Sequence, residues 1–237
     1  MTAAQKSWAR QAAHDDAQTS SDAGRDKLLR QQLQQGLDDL SLSLPAYQQE
    51  LLIQYVALLL RWNAVYNLTA VRDPHEMLAL HLLDSLSIVE LVANCEGLDV
   101  LDVGTGAGLP GIPLAITLPQ HRLLLVDAVA KKISFLQQVK TSLKLSNIHP
   151  QHARIEALTL CKFPSVIVSR AYADLSHMVH SIDRLAEDST TVIAMKGVNP
   201  GAEIVALPPS WKVVEVRDLH VPFLGAKRCA VVLRRAP

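Results

Sequence analysis

Three glycines that alternate with other residues mark the stretch of this chain best suited to binding a ligand. Gly104, Gly106 and Gly108 directly follow an apolar run, Leu98–Val103, that predicts a buried strand. The next residues, Leu109–Leu118, favour a helix. Glycines permit positive φ and remove side chains where a ligand approaches the backbone, and a helix start offers free N–H groups. The stretch therefore predicts a ligand-binding turn between a strand and a helix.

This turn fits two known motifs in different registers. Gly106–Gly111 matches the dinucleotide pattern G-x-G-x-x-G, which is a weak signal by itself. Starting at Asp102, the residues also match Asp-x-Gly-x-Gly-x-Gly, which is typical of methyltransferases that use S-adenosylmethionine. The second register gives Gly104 a function, whereas the first does not. A tight turn that binds no ligand is the third interpretation.

Acidic residues follow other predicted strands at the point where each strand ends. In an open parallel sheet, ligands bind beyond the carboxyl ends of the strands. Asp127 ends the second strand, and an acid there can accept hydrogen bonds from both ribose hydroxyls of an adenosine. Ile155 and Glu156 follow the third strand, and Glu156 can accept from an adenine amino group. The alternatives are a helix N-cap for Asp127 and an ordinary first-turn acid for Glu156.

Basic residues occupy the later strand ends. Arg170 follows the fourth strand and Lys196 ends the fifth, while Lys227 and Arg228 precede the last. Because a charge directly after a buried strand needs a partner, Arg170 is either a site residue or half of an internal ion pair. Lys227 and Arg228 can hold phosphate, or they can form an ordinary solvated pair. Polar residues that end several buried strands at one edge of the sheet predict a binding site there.

His81 and Asp84 lie one helical turn apart in the N-terminal part of the chain. Two such side chains do not make a metal site, and no third ligand is apparent from the sequence. We therefore predict no metal and interpret the two residues as a pair that braces the helix against the rest of the protein.

The elements that position these residues fall into two parts after a polar start. Residues 1–24 lack periodicity and predict a disordered extension. Residues 25–95 predict a helical subdomain, in segments near Asp26–Leu40, Pro45–Trp62 and Pro74–Asn94. Residues 96–237 alternate strands with helices, which is typical of a parallel sheet built from βαβ units.

The fold class is α/β, a seven-stranded and mostly parallel sheet preceded by the helical subdomain. The predicted strands are Leu98–Val103, Arg122–Val126, Asn147–His152, Ser165–Ser169, Thr190–Met195, Trp211–Asp218 and Arg228–Arg234. No helix separates the last two strands, so we expect an antiparallel hairpin at one side of the sheet. Pro150 places the third strand at an edge.

Composition limits the function classes that fit. Hydrophobic residues make up 49% of the 237 residues against 19% charged, which indicates a globular protein with a sizeable core. The N-terminus resembles no secretory signal and no run is long enough to span a membrane, so we expect a cytoplasmic protein. Three separated cysteines predict reduced, buried thiols. Because 23 basic residues balance 23 acidic ones, any RNA must be held by a local patch.

Several motifs in order along the chain resemble one known family. The motifs are Trp62-Asn63-Ala64-Val65-Tyr66-Asn67-Leu68-Thr69, His81-Leu82-Leu83-Asp84-Ser85, the stretch from Leu101 to Leu114, Ser169-Arg170-Ala171 and Met195-Lys196-Gly197. Together they resemble the bacterial small-subunit ribosomal RNA guanine-N7 methyltransferases, the glucose-inhibited division protein B family. The resemblance runs from about Leu37 to Leu233, so residues 1–24 lie outside it.

The resemblance implies a class I, Rossmann-like methyltransferase that moves a methyl group from S-adenosylmethionine to N7 of a guanine in 16S ribosomal RNA, within a small-subunit particle. It implies cofactor contacts at Gly104, Leu109, Ile155, Glu156 and Arg170. The general methyltransferase pattern adds Asp102, Gly106, Gly108 and Asp127.

For RNA, the expected contacts are Arg170, Lys196, Lys227 and Arg228. Arg170 is the expected positioning residue, because it lies across the point of strand reversal from the glycine turn. Two other functions remain open from the sequence. One is a ribosome-assembly factor that keeps the fold without catalysis, and the other is an NAD-linked oxidoreductase.

Overall fold

The computed structural model describes residues 24, 26–172, 174–198 and 200–236. The predicted disordered extension therefore lies outside the described residues, apart from Gly24. The N-terminal part is helical, as predicted. Its elements are α1 (residues 26–39), α2 (Ala46–Tyr66), α3 (Pro74–Met77), a π-helical turn (Leu78–Leu83), α4 (Asp84–Leu86) and α5 (Val89–Ala93).

From residue 99 the chain alternates strands and helices. These elements are β1 (Asp99–Val103), α6 (Gly111–Thr117), β2 (Arg122–Asp127), α7 (Ala130–Ser142), β3 (Ile148–His152), a 3-10 turn (Ile155–Ala157), β4 (Val166–Arg170), α8 (Leu175–Ile182), a second 3-10 turn (Asp183–Leu185), β5 (Thr191–Lys196), α9 (Gly201–Val205), β6 (Trp211–Leu219) and β7 (Arg228–Arg235). Each predicted strand is found within one residue of its expected bounds.

The strands form one seven-stranded sheet in the order β3-β2-β1-β4-β5-β7-β6. The first five strands pair in parallel, whereas β7 is antiparallel to both β5 and β6. The predicted class I topology and C-terminal hairpin are confirmed. Pro150 lies on β3 at the edge of the sheet, where its missing N–H breaks no ladder hydrogen bond.

Two hydrophobic clusters cover the two faces of the sheet. One contains residues of α8 and the two 3-10 turns, packed against β1, β4 and β5. The other combines α1, α2 and the segment from α3 to α5 with α6 and α7 of the sheet-bearing part. The helical segment thus shares one of the two clusters with α6, α7 and one face of the sheet. The division of the chain at residue 95 stays a prediction.

Two buried side chains of α2 tie the helical segment to the glycine turn and to the helix behind it. The Tyr55 hydroxyl donates to the carbonyl of Ala107 at 2.8 Å, and the amide of Gln48 donates to the carbonyl of Ile116 at 2.7 Å. Both residues are almost fully buried. A buried carbonyl left without a donor is costly, so these bonds fix how α2 lies on the turn.

Tyr55→Phe should destabilise the protein by about 1–3 kcal/mol, because it leaves the Ala107 carbonyl buried without a donor. Denaturant unfolding measures this change. Tyr47→Phe is the matched control. Since Tyr47 is 59% exposed, removing its hydroxyl should change the free energy of unfolding little. Equal stability of the two variants would contradict the role given to the Tyr55 bond.

Candidate active site

A cavity of about 220 Å³ opens at the carboxyl ends of β1 and β2. Its lining residues are Val103, Gly104, Val126, Asp127, Ala128, Ala153, Arg154, Ile155, Glu156 and Tyr172. We call this the first cavity. It contains four of the predicted cofactor residues, Gly104, Asp127, Ile155 and Glu156, which come from three separate strand ends.

The three alternating glycines have different surroundings although all have positive φ. Gly104 lines the first cavity, and a Cβ there would lie 3.2 Å from the ring of Tyr172. A Cβ on Gly106 would make only an ordinary contact, 3.9 Å from the carbonyl oxygen of Gly104. A Cβ on Gly108 would lie 2.4 Å from Ile112, so this glycine is required by the packing of α6. Gly106, Gly108 and the buried Leu109 do not line the first cavity, and their contacts with a cofactor stay predictions.

Asp102 is fully buried beneath the turn and does not line the first cavity. Its Oδ2 accepts from the hydroxyl of Thr105 at 2.7 Å and from the N–H of Gly111 at 2.9 Å. Burial raises the pKa of Asp102 to about 6, against the lowering effect of these two bonds. Asp102 therefore joins the glycine turn at Thr105 to the start of α6 at Gly111.

Asp127 is buried at the end of β2, on the rim of the first cavity. Its Oδ1 accepts from the N–H of Val129 at 2.9 Å, and its Oδ2 accepts from the N–H of Gly106 at 3.0 Å and from Lys132 at 3.2 Å. Asp127 is not the helix N-cap of the alternative interpretation, because Val129 takes that position and has no side-chain cap bond. Asp127 instead holds the N–H of Val129, just before α7, and orients the glycine turn. A carboxylate has about four acceptor positions, so Oδ1 retains capacity for one further donor.

Ile155 and Glu156 form the far wall of the first cavity, in the 3-10 turn after β3. Ile155 is buried, and its carbonyl accepts from Arg184 at 2.8 Å. Glu156 is exposed, and its carboxylate makes no hydrogen bond or ion pair with any other described residue. A ligand amino group in the cavity can therefore reach an acceptor that is not already used.

A second cavity, of about 430 Å³, lies beside the first, at the carboxyl ends of β4 and β5. Its lining residues are Val71, Leu80, His81, Asp84, Arg170, Ala171, Met195, Lys196, Gly197 and Arg228. Ala171 lines this cavity and its neighbour Tyr172 lines the first, so the chain after β4 separates the two.

Arg170 lines the second cavity, and it also forms the internal ion pair that was the alternative interpretation. Its Nη1 donates to the carbonyl of Leu80 at 2.9 Å and to Asp84 at 3.0 Å. Arg228 reaches the other carboxylate oxygen of Asp84 at 3.2 Å. Asp84 is 3% exposed, so one buried carboxylate holds two cations. The contact of Arg170 with a cofactor stays a prediction, because Arg170 does not line the first cavity.

The other two predicted RNA residues are separated by the fold. Lys196 lines the second cavity and forms an ion pair with Glu203 at 2.8 Å. Lys227 lies outside it, in a neighbouring depression that it shares with Arg228. The second cavity therefore gathers Arg170, Lys196 and Arg228, and their binding to RNA stays a prediction.

Three residues of these cavities were missed or misassigned from the sequence. Tyr172 was not predicted, although its place two residues after Arg170 at a strand end was a usable signal. His81 and Asp84 do not pair with each other. His81 Nε2 instead bonds to the Thr69 hydroxyl at 2.7 Å, while Asp84 binds the two arginines. Asp84 does brace its helix against the sheet, but through partners that are distant in sequence.

Three further features of the described residues bear on metal binding, membrane crossing and the cysteines. No group of three or more His, Cys, Asp or Glu residues in the described part could hold a metal ion. None of the helices in that part combines the length and apolarity needed to cross a bilayer. The prediction of buried cysteines holds only for Cys229, since Cys161 is exposed and Cys95 is half-buried.

Comparison with known proteins identifies the family. The family model described as GidB, rRNA small subunit methyltransferase G, matches residues 48–232. The chain belongs to this family. It is 49% identical over 207 residues to the ribosomal RNA small subunit methyltransferase G of Janthinobacterium sp. (strain Marseille), covering 86% of this chain and 93% of that protein. The Pseudomonas aeruginosa (strain LESB58) protein of the same name is 46% identical over 204 residues, covering 86% and 94%.

Solved structures support the fold of this GidB-family chain. A putative O-methyltransferase from Klebsiella pneumoniae superposes with a TM-score of 0.55 at 17% identity, covering 77% of this chain and 90% of that one. An Aquifex aeolicus structure described as an SAM-dependent methyltransferase gives a TM-score of 0.53 at 18% identity, covering 69% and 94%. At such identities the likeness shows the fold alone, which is that of class I methyltransferases.

Asp102→Asn should change how stability depends on pH. Since burial raises the pKa of Asp102 from 3.8 to about 6, the folded wild type holds this proton more tightly than the unfolded chain does. The contribution of Asp102 is therefore fully present below about pH 4 and is lost as the pH rises through 6. Relative to Asp102→Asn, the wild type should lose on the order of 2–3 kcal/mol between pH 4 and pH 7.

Urea unfolding of both proteins at several pH values measures this difference. Asp39→Asn, at an exposed site, is the control and should follow the wild type at every pH. A stability difference between Asp102→Asn and the wild type that does not vary with pH would show that the Asp102 pKa is not raised.

Proposed function

We propose that this chain transfers a methyl group from S-adenosylmethionine to N7 of a guanine in 16S ribosomal RNA, in the cytoplasm and within a small-subunit particle. The observation that carries the proposal is the pair of adjoining cavities in a chain of this family. One cavity suits an adenosine and the other suits a nucleotide, and only the chain after β4, at residues 171 and 172, separates them. Methyl transfer requires this arrangement, because donor and acceptor must be held side by side.

The first cavity fits the cofactor. Gly104 leaves the floor of the cavity open beside Tyr172, and a side chain there would obstruct the ligand. Asp127 has capacity on Oδ1 for one ribose hydroxyl, and Glu156 offers an unused carboxylate to the adenine amino group. When bound, the cofactor supplies a methyl group on a positively charged sulfur. The residues of the cavity bind and orient it.

The second cavity fits the acceptor nucleotide. Its wall carries three cations, Arg170, Lys196 and Arg228, against the single carboxylate of Asp84, with Glu203 paired to Lys196 from outside. Only Nη1 of Arg170 is used in the hydrogen bonds to Leu80 and Asp84, so Nε and Nη2 remain for phosphate or for a purine face. We infer that the target guanine enters here with N7 toward the first cavity.

The chemistry needs alignment and no general base. Guanine N7 carries a lone pair in the plane of the ring and no proton, so it attacks the methyl carbon directly while the bond from carbon to sulfur breaks. The positive charge passes from sulfur to the purine. The residues contribute by holding nucleophile, methyl and sulfur in line, and such positioning can supply roughly 7–11 kcal/mol of the barrier.

Transfer of labelled methyl groups tests the proposal directly. Purified protein is incubated with labelled S-adenosylmethionine and either naked 16S ribosomal RNA or small subunits, both from cells that lack this protein. We expect label at N7 of one guanine, with particles preferred over naked RNA. Binding without transfer in a single turnover would instead indicate an assembly factor. A nicotinamide dinucleotide bound to the purified protein, detected by mass spectrometry, would indicate an oxidoreductase.

Asp127→Ala should weaken binding of S-adenosylmethionine by about 1.5–3 kcal/mol, which is typical of hydrogen bonds to a charged group. Calorimetry measures the affinity. Lys132→Ala is the matched control, because it removes the ion pair of Asp127 while keeping the carboxylate. If Asp127→Ala bound the cofactor as the wild type does, Asp127 would serve only to hold the N–H groups of Gly106 and Val129.

Arg170→Lys should reduce methyl transfer to RNA by at least roughly tenfold, about 1.4 kcal/mol, with little change in affinity for the cofactor. The reason is that lysine lacks the planar group that can bond Asp84 and a nucleotide together. Melting temperature and methylation are measured on the same preparation. A destabilised variant with near-normal turnover would show that Arg170 serves only the ion pair with Asp84.

A further inference from the structure

A groove of about 510 Å³ lies between α2 and α7, apart from both cavities. Its lining residues are Leu58, Arg61, Trp62, Val65 and Tyr66 of α2, with Gln138 and Ser142 of α7. None of these has a function in the methyl-transfer site described above. The groove is large enough for a nucleobase with its sugar, and a carboxylate is absent from its lining.

Two large hydrophobic side chains of the groove are exposed to solvent and are not packed into the core. Val65 is 70% exposed and Tyr66 is 43% exposed. The Tyr66 ring stacks on Trp62, with 5.0 Å between ring centroids, which fixes its plane. Asn67 then ends α2 with a left-handed φ of 48°. The ring is thus held at a helix end with one side free.

The charge around the groove has one sign. From residue 51 to the end of α2, and along the whole of α7, the sequence contains no Asp or Glu. The same segments carry Arg61, Lys131, Lys132 and Lys140. Lys132 is paired with Asp127, but Arg61 and Lys131 are exposed. In a chain with no net charge, this concentration of cations suits a polyanion.

Tyr66, at one end of the groove, lies beside the edge of the sheet that carries the cavities. Lys131, in the first turn of α7, donates to the carbonyl of Tyr66 at 2.9 Å. Asp127, on the rim of the first cavity, lies four residues before Lys131 and accepts from the N–H of Val129 just before α7. From there the groove runs along α7 toward Ser142, away from that edge. One end of the groove is therefore four residues along the chain from the rim of the first cavity.

We propose that this groove binds a single-stranded segment of the ribosomal RNA that flanks the target guanine, and this inference rests on the proposed function. A base stacks on the free side of Tyr66, while Arg61 and Lys131 contact phosphates. Aromatic rings and cations together are the usual means of binding single-stranded RNA.

RNA affinity of matched variants tests the groove. Tyr66→Ala should lower affinity for unmethylated 16S ribosomal RNA at least about fivefold, and Arg61→Ala should flatten the salt dependence by about one phosphate contact. Tyr66→Phe should restore affinity, because it keeps the ring. Lys212→Ala removes an exposed cation from β6, at the far edge of the sheet, and should bind as the wild type does. Filter binding gives the affinities, and melting temperature shows that each variant is folded.

The outcomes separate the groove from the proposed function. If folded Tyr66→Ala and Arg61→Ala bind naked RNA as the wild type does, the groove does not bind RNA. If they lose affinity only for small-subunit particles, the groove contacts protein, and the inference is overturned as well. Loss of RNA affinity with normal affinity for S-adenosylmethionine supports it. Absence of methyl transfer by the wild type would overturn the proposed function alone, because affinity is measured without transfer.

Discussion

The carboxylate of Asp84 joins the helical segment to the sheet at the point where function is expected. Its two oxygens bind arginines from the end of β4 and the start of β7. A buried carboxylate with no cation beside it would cost several kcal/mol, so Asp84 needs these arginines in place. The arrangement therefore fixes where Arg170 and Arg228 lie. It also makes the helical segment a wall of the second cavity.

The carboxylates of Asp102 and Asp127 fix the glycine turn in place by accepting hydrogen bonds, Asp102 from below the turn and Asp127 from its side. Asp102 holds Thr105 and the start of α6, and Asp127 holds Gly106 and the start of α7. Each acid accepts N–H groups that a tight turn or a helix start leaves without partners. The turn is therefore rigid before any ligand binds, which lowers the entropy cost of binding.

The rate of methyl transfer to guanine N7 depends strongly on how rigidly the site holds its ligands. Because the nucleophile carries no proton, the protein has no acid–base step to perform, and alignment is what remains. The described residues around the two cavities hold cations and acceptors in fixed positions. The groove between α2 and α7 would contribute to this alignment as well. An RNA segment bound there limits the orientations in which the target base can enter the second cavity.

Local pattern was enough to predict most of the fold. Each strand, the C-terminal hairpin, the edge position of Pro150 and the register of the glycine turn follow from hydrophobic periodicity and glycine spacing, which depend on neighbours in the chain. The first cavity was also largely predictable, because parallel strand ends meet at one edge of a sheet. Asp127 and Glu156 lie in it for that reason.

Tertiary packing alone decided the rest. Asp84 meets Arg170 and Arg228 across 86 and 144 residues, so no spacing rule could assign those partners. Asp102 lies beneath the first cavity and not in its lining because α6 packs behind the glycine turn and Gly111 donates to its carboxylate. The groove likewise exists only because α2 and α7 lie side by side. Sequence determines which side chains stand at the strand ends, and packing determines which of them share a space, because contact energies depend on distance through space and not along the chain.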